Sequence, residues 1–187
     1  MDAITKILNI IQDVSTKTIS RDKGIMQLID LDLPSQEIRF VKSIIQLMGK
    51  LPPNPISSDT NESELGSRYI DSFLCGLFDD PDHGMYLHWT NEITLEARKN
   101  DGLATKSRPD ICTASVCGSR FSTNHGLGEV KSAAYDSSHF LLCKDLLRVA
   151  TFCKDALDAH SMEDVLEFQA IGRVIYFYIL LLPANGV

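Results

Sequence analysis

The fold is decided by the stretch from residue 108 to residue 132, which reads RPDICTASVCGSRFSTNHGLGEVKS. Two parts of it, Ile111–Val116 and Gly128–Ser132, are predicted as strands, because apolar and β-branched residues in each are bounded by turn-forming residues. Residues two apart in a strand project from the same face, so Glu129 and Lys131 point together and Val130 points to the opposite face. If the two strands pair, Asp110 lies beside Glu129.

This neighbourhood predicts a particular chemistry. Two carboxylates at such a separation form an oxygen-only site suited to Mg²⁺ or Mn²⁺. Phosphodiester hydrolysis needs this arrangement, because the metal polarises the phosphate and activates a bound water. The ammonium of Lys131 would orient that water or offset charge in the transition state.

The surrounding pattern predicts an α/β (α+β) fold with a central mixed sheet, preceded by a small N-terminal helical region. From residue 62 the expected order is helix, strand, strand, strand, helix and strand. The remaining elements of that order are a helix over Glu62–Leu77, a strand over Tyr86–Thr90, a helix over Ser138–Leu157 and a strand over Ile171–Leu182 that is buried on both faces.

In this context Arg108-Pro109-Asp110 and Glu129-Val130-Lys131 resemble the motif of the PD-(D/E)xK, restriction-endonuclease-like nucleases, including uncharacterised families expanded in some fungi. The resemblance covers roughly residues 60–182 and implies the αβββαβ core of that superfamily. It implies a nuclease, with DNA as the expected substrate, that uses Mg²⁺ or Mn²⁺ held by Asp110, Glu129 and the Val130 carbonyl. Lys131 would serve the nucleophile or the transition state. Glu64 would be the acid that a preceding helix often supplies, with Glu62 as the second choice.

The expected domain organisation is a helical region over 1–50, a linker over the proline-rich 51–60 and a nuclease-like domain over 61–187. Asn185-Gly186 is typical of a hairpin turn, but no returning strand follows, so we expect a C-terminally shortened domain with an uncovered strand edge. A second copy of the chain or a partner chain would pair with that edge.

Bulk composition restricts the partners. The net charge is −7, from 18 Lys and Arg against 25 Asp and Glu, which argues against a free-standing protein that binds DNA tightly. The five cysteines form no Cys-x-x-Cys pair and have apolar neighbours, which indicates reduced thiols and an intracellular protein. The longest apolar run, Val174–Leu182, is half the length of a membrane helix, so we expect no membrane association.

Other interpretations stay open at this point. Asp110 is also typical of a turn residue, Glu129 and Lys131 of the polar face of an edge strand, and Glu64 of an acid near a helix N-terminus. The main alternative function is a nuclease-derived binding or assembly module that no longer cuts. A weaker one is a partner region of a larger regulatory protein, in which residues 1–50 form a docking bundle.

Overall fold

A five-stranded mixed sheet organises the described C-terminal part of the chain. In this computed structural model the strands lie side by side in chain order, β1-β2-β3-β4-β5. All neighbours are antiparallel except β3 and β4, which are parallel and are joined by a long helix. The strands are β1 (Met85–Trp89), β2 (Ile111–Cys117), β3 (Arg120–Lys131), β4 (Asp164–Ile171) and β5 (Val174–Leu181). The predicted α+β class with a mixed sheet is confirmed.

The structure describes residues 3–54, 56, 60–90, 92–99 and 108–182. By packing, the chain divides into two units. One comprises Met1–Ile56 and Ser67–Phe78, and the other comprises Ser57–Gly66 and Asp79–Val187. Residues 67–78 thus group with the N-terminal helices, whereas the sequence assigned everything from 61 onward to one domain. The assignment of that domain as nuclease-like stays a prediction.

The N-terminal unit is helical, as predicted. Its first helices are α1 (Ala3–Ser15), α2 (Arg21–Ile29) and α3 (Ser35–Lys50). Ser20 is the N-cap of α2. Its hydroxyl accepts a hydrogen bond from the Lys23 backbone N–H, one of the donors that the start of a helix leaves unpaired. The apolar faces of the three helices bury a common core of Ile7, Leu28, Val41, Ile44 and Met48.

The next helical stretch consists of α4 (Glu62–Glu64), a π-helical segment (Leu65–Ile70) and α5 (Asp71–Phe78). The predicted helix is therefore present, but the π segment shifts its buried face, because π-helical bonds span one residue more than α-helical bonds. Tyr69 and Phe73, which with Leu65 and Leu77 are spaced for one buried face of a regular α-helix, are only partly buried, and Ile70 and Leu74 are buried instead. Gly76 lets α5 approach α3, since a Cβ there would lie 2.5 Å from Ser43 backbone atoms.

The second unit contains the short α6 (Leu95–Lys99) and the long α7 (His139–His160), which packs on β3 and β4. One apolar face of the sheet meets the helix there. The shared core consists of Cys112, Ala114, Leu127, Val149, Phe152, Cys153, Ala156, Leu157 and Val165. Leu127 belongs to this core, so the face of β3 that carries Leu127, Glu129 and Lys131 is the face that α7 covers.

The prediction for the last strand was wrong. Instead of one strand over 171–182 buried on both faces, the chain forms β4, turns at Gly172, and returns as β5, which is mostly exposed. Gly172 has a φ of +55°, a conformation that glycine adopts without steric cost. The Asn185-Gly186 pair lies outside the described residues. Within the described residues, no helix combines the length and apolarity needed to span a membrane.

Candidate metal centre

Pairing of β2 with β3 brings the two halves of the sequence motif together, as predicted. Ile111 is the partner of Gly128, and the Asp110 backbone N–H donates to the Gly128 carbonyl at 3.1 Å. The side chain adds a second link, because Asp110 Oδ2 accepts a hydrogen bond from the Val130 N–H at 2.9 Å. Asp110 is therefore fixed to the neighbouring strand, and the interpretation as a turn residue bonded to its own segment does not describe this contact.

Glu129 is the most buried charged group of the site, with 2% of its surface exposed. Lys131 Nζ donates to Glu129 Oε1 at 2.6 Å, and the Arg148 guanidinium contacts the same oxygen. The other oxygen, Oε2, is buried and has no hydrogen-bond partner among the described residues. One half of this carboxylate is thus neutralised by two cations, and the other half is able to take a further ligand.

Lys131 is surrounded by acceptors. Besides Glu129, its Nζ lies 3.7 Å from Asp145 Oδ2 and 3.9 Å from Glu62 Oε1, and it donates to the Val130 carbonyl at 3.4 Å. Lys131 is part of β3, which lies between β2 and β4. The interpretation of Glu129 and Lys131 as the polar face of an edge strand is therefore wrong.

Two residues of α7 complete the cluster. Asp145 Oδ1 lies 3.2 Å from Arg148 Nη2, and the pair has the i,i+3 spacing that places side chains on one helix face. Asp145 was not among the site residues predicted from the sequence. The signal for Asp145 was its spacing from Arg148 on a helix that follows the Lys131 strand.

Burial controls the protonation of the two motif carboxyls. It raises the pKa of Asp110, although the Val130 N–H and the Lys131 and Arg148 charges oppose the shift. It also raises the pKa of Glu129, with Asp110 adding to the effect and Lys131 opposing it. Burial alone lowers the pKa of Lys131, but its hydrogen bond to Glu129 and the nearby carboxylates outweigh burial and the net shift is upward. The site therefore holds a charged lysine beside carboxyls that burial makes costly to ionise.

The helix that precedes the strands contributes Glu62 to the cluster through its 3.9 Å contact with Lys131. Glu64, the first choice from the sequence, is exposed, and its backbone N–H donates to Asn61 Oδ1 at 2.9 Å, which caps the helix start. A role for Glu64 at the metal stays a prediction. The contact with Lys131 that the structure shows is that of Glu62, the second choice.

Residues around the cluster hold β3, β4 and α7 together. Gln169 is the β4 partner of Glu129, and its Nε2 donates to the Leu142 carbonyl near the start of α7 at 3.1 Å. Gly128 faces the Phe168 ring on the opposite side of the sheet, where a Cβ would overlap the ring. These contacts fix the backbone on both sides of Glu129.

The donors predicted from the sequence are of one chemical type. Asp110, Glu129 and the Val130 carbonyl offer oxygen ligands only, which is the chemistry that Mg²⁺ and Mn²⁺ prefer. Among these donors, Glu129 Oε2 is buried and has no hydrogen-bond partner among the described residues. Within the described part of the chain, however, no group of three or more His, Cys, Asp or Glu side chains is arranged around one metal position. Any ion here would be held by two side chains and the backbone.

Comparison with known proteins identifies no relative of this chain. No protein-family model, no curated protein and no solved structure matches it. Assignment of a function therefore depends on the residues and contacts of the site.

Proposed function

We propose that this chain is a metal-dependent phosphodiesterase of the PD-(D/E)xK type that hydrolyses nucleic acid. The observation that carries the proposal is the hydrogen bond between the Val130 N–H and Asp110 Oδ2. It joins the Pro-Asp half of the motif to the Glu-Val-Lys half. Asp110, Glu129 and Lys131 thereby form one cluster on adjacent strands, which is the arrangement the motif needs for its chemistry.

The order of elements also supports the restriction-endonuclease-like core. After the helical stretch that begins at Glu62 come β1, β2 and β3, then α7 and β4. This is an αβββαβ order, with the acid-x-Lys strand in the middle of the sheet and the following helix packed over it. β5 is an addition beyond β4.

In the proposed site Asp110, Glu129 and the Val130 carbonyl hold the divalent ion. When bound, Mg²⁺ or Mn²⁺ would supply a Lewis acid for the phosphate and would lower the pKa of the attacking water. Burial of Asp110 and Glu129 favours this role, because desolvated carboxylates gain more from a bound dication than solvated ones do.

Lys131 and Arg148 supply the positive charge that a phosphodiester transition state needs. Both contact Glu129 directly, so both lie within one side-chain length of a phosphate at the site. Lys131 is held charged by its acidic neighbours, so it donates hydrogen bonds to the nucleophile or the phosphate rather than acting as a base. Asp145 positions Arg148 through their 3.2 Å contact, and Glu62 lies in the outer shell beside Lys131.

The proposal is tested by titrating Mg²⁺ and Mn²⁺ by calorimetry into the wild type, Asp110→Asn and Glu129→Gln, followed by cleavage assays on fluorescent DNA and RNA. Both variants keep the side-chain shape, and the amide oxygen that Asp110→Asn introduces can still accept from the Val130 N–H. We expect metal binding and metal-dependent cleavage in the wild type and the loss of both in each variant.

Glu167→Gln is the matched control, because Glu167 is also a buried carboxyl on the same face but on the next strand. It should bind metal as the wild type does. Metal-dependent cleavage that survives Glu129→Gln would refute the assigned site.

A second candidate function, an inactive nuclease-derived binding module, has one observation in its favour. Glu129 Oε1 is already engaged by Lys131 and Arg148, so this oxygen has two cationic partners without a metal. In that case we expect neither metal binding nor cleavage. Assembly would then use the exposed strand β5, pairing with a second copy or a partner chain, and light scattering after size-exclusion chromatography would detect the dimer.

A further inference from the structure

Two tyrosines of β5 lie in register with the candidate site. Glu129 on β3 is the partner of Gln169 on β4, and Gln169 is the partner of Tyr176 on β5. The neighbouring row runs from Leu127 through Glu167 to Tyr178. Directly paired residues project from the same face of a sheet, so both tyrosines share the face of Glu129.

Their distance from the site is short. Adjacent strands lie about 4.8 Å apart, so the Tyr176 backbone is about 10 Å from that of Glu129, two strands away. The exposed fraction is 46% for Tyr176 and 38% for Tyr178, and their ring surfaces are therefore accessible. An aromatic surface of this kind, two strands from the candidate site, is suited to nucleobases.

We infer that Tyr176 and Tyr178 stack the bases of a single-stranded nucleic acid whose backbone passes the Glu129 site; this inference rests on the proposed function and specifies its substrate. A tyrosine can stack on a base only if the base is not stacked within a duplex, which selects single strands, loops or ends. Stacking depends on the π face of the base, so it requires no sequence preference.

The charge of the chain agrees with this substrate. Duplex binding relies on many phosphate contacts from a broad basic surface. This chain, with a net charge of −7, has fewer basic than acidic residues with which to form such a surface. At the site, cationic contacts to the backbone come from Lys131 and Arg148, and the exposed Lys144 lies one helical turn before Arg148 on α7. Base stacking supplies affinity that this small number of cations does not.

The test is fluorescence anisotropy with a labelled oligothymidylate in EDTA, so that binding is measured without cleavage. The variants are Tyr176→Ala and Tyr176→Phe. Phe177→Ala is the matched control, since Phe177 is an aromatic residue of the same strand with a similar exposed fraction of 44%, but it projects from the opposite face.

We expect Tyr176→Ala to weaken binding by roughly 5- to 150-fold, the range found for removing one stacked base contact. Tyr176→Phe keeps the ring and should bind as the wild type does, and Phe177→Ala should be unchanged. A second probe, an abasic strand of the same length, carries the same phosphates without bases. Because it can stack on neither tyrosine, it should bind the wild type at least as weakly as the oligothymidylate binds Tyr176→Ala, which keeps Tyr178.

Equal affinity of the wild type for the oligothymidylate and the abasic strand would overturn the inference, and this comparison needs no variant to fold. Equal losses in Tyr176→Ala and Phe177→Ala would also overturn it, since they would indicate a general effect on β5. Base-dependent binding without any metal-dependent cleavage would keep the stacking surface and reject the proposed hydrolysis, so the two failures are distinguishable.

Discussion

Glu167 offers a test of the electrostatics of the sheet face that carries the site. It lies on β4 with 5% of its surface exposed, and its Oε1 is buried without a hydrogen-bond partner among the described residues. Burial raises the pKa of its carboxyl to about 7. The change to make is Glu167→Gln, which keeps the side-chain size and removes the titration.

The sign of the effect follows from the direction of the shift. A raised pKa means that the folded state binds the proton more tightly than the unfolded state, so the carboxyl is best tolerated when protonated. Its contribution to stability is fully present below the ordinary pKa of 4.5 and is lost as the pH rises through about 7. At about 1.4 kcal/mol per pH unit, the whole effect is about 3 kcal/mol, of which about 2.5 kcal/mol falls between pH 5 and pH 8.

The assay is urea unfolding of the wild type and Glu167→Gln at pH 5 and at pH 8. The fluorescence of Trp89, the single tryptophan, reports on unfolding because Trp89 lies on β1 of the same sheet. We expect the stability of Glu167→Gln relative to the wild type to increase by about 2–3 kcal/mol from pH 5 to pH 8. Other titrating groups cancel in this difference. If the relative stability were the same at both pH values, Glu167 would have its ordinary pKa, and burial would not raise it.

Two further changes test the packing and the chemistry around Glu129. Gly128→Ala should destabilise the sheet by about 1–3 kcal/mol or more in urea unfolding, because the new Cβ would overlap the Phe168 ring. Gly49→Ala is the control. A Cβ at residue 49 meets no atom within 4 Å, so this variant should not be destabilised. Lys131→Met should abolish cleavage while metal binding by calorimetry is retained or strengthened, because a cation that contacts Glu129 is removed. Loss of metal binding in Lys131→Met would show instead that the lysine holds the carboxylates in place.

The sequence predicted the central part of the site because local rules determine it. The period of two in a strand places Glu129 and Lys131 together, and the pairing of β2 with β3 brings Asp110 to the same place. Both steps depend on short segments with clear turn residues between them. The class of fold was predictable for the same reason.

Other features depend on contacts that no local pattern specifies. Asp145 and Arg148 join the site only because α7 packs across β3 in one orientation. The β4–β5 hairpin was missed because two polar residues, Glu167 and Gln169, interrupt the apolar pattern of a buried strand. Both are on the α7 face, where Gln169 is satisfied by the Leu142 carbonyl. Their polarity reflects tertiary packing, so the segment was not recognised as a strand.

The energetics of the cluster argue against a purely structural link. Leu127 and Val165, on the same face, show that α7 and the sheet can bury aliphatic side chains there. Ion pairs in such a position stabilise little, because desolvation of the charges offsets most of their attraction, and apolar replacements are often at least as stable. Glu129 also keeps a buried oxygen without a partner among the described residues, which lowers stability further. A cluster with more carboxylates than cations, one of them incompletely satisfied, is poorly suited to a structural link. If the proposed site is correct, a bound dication would balance this excess of negative charge. Metal binding should therefore supply the stabilisation that the ion pairs alone do not.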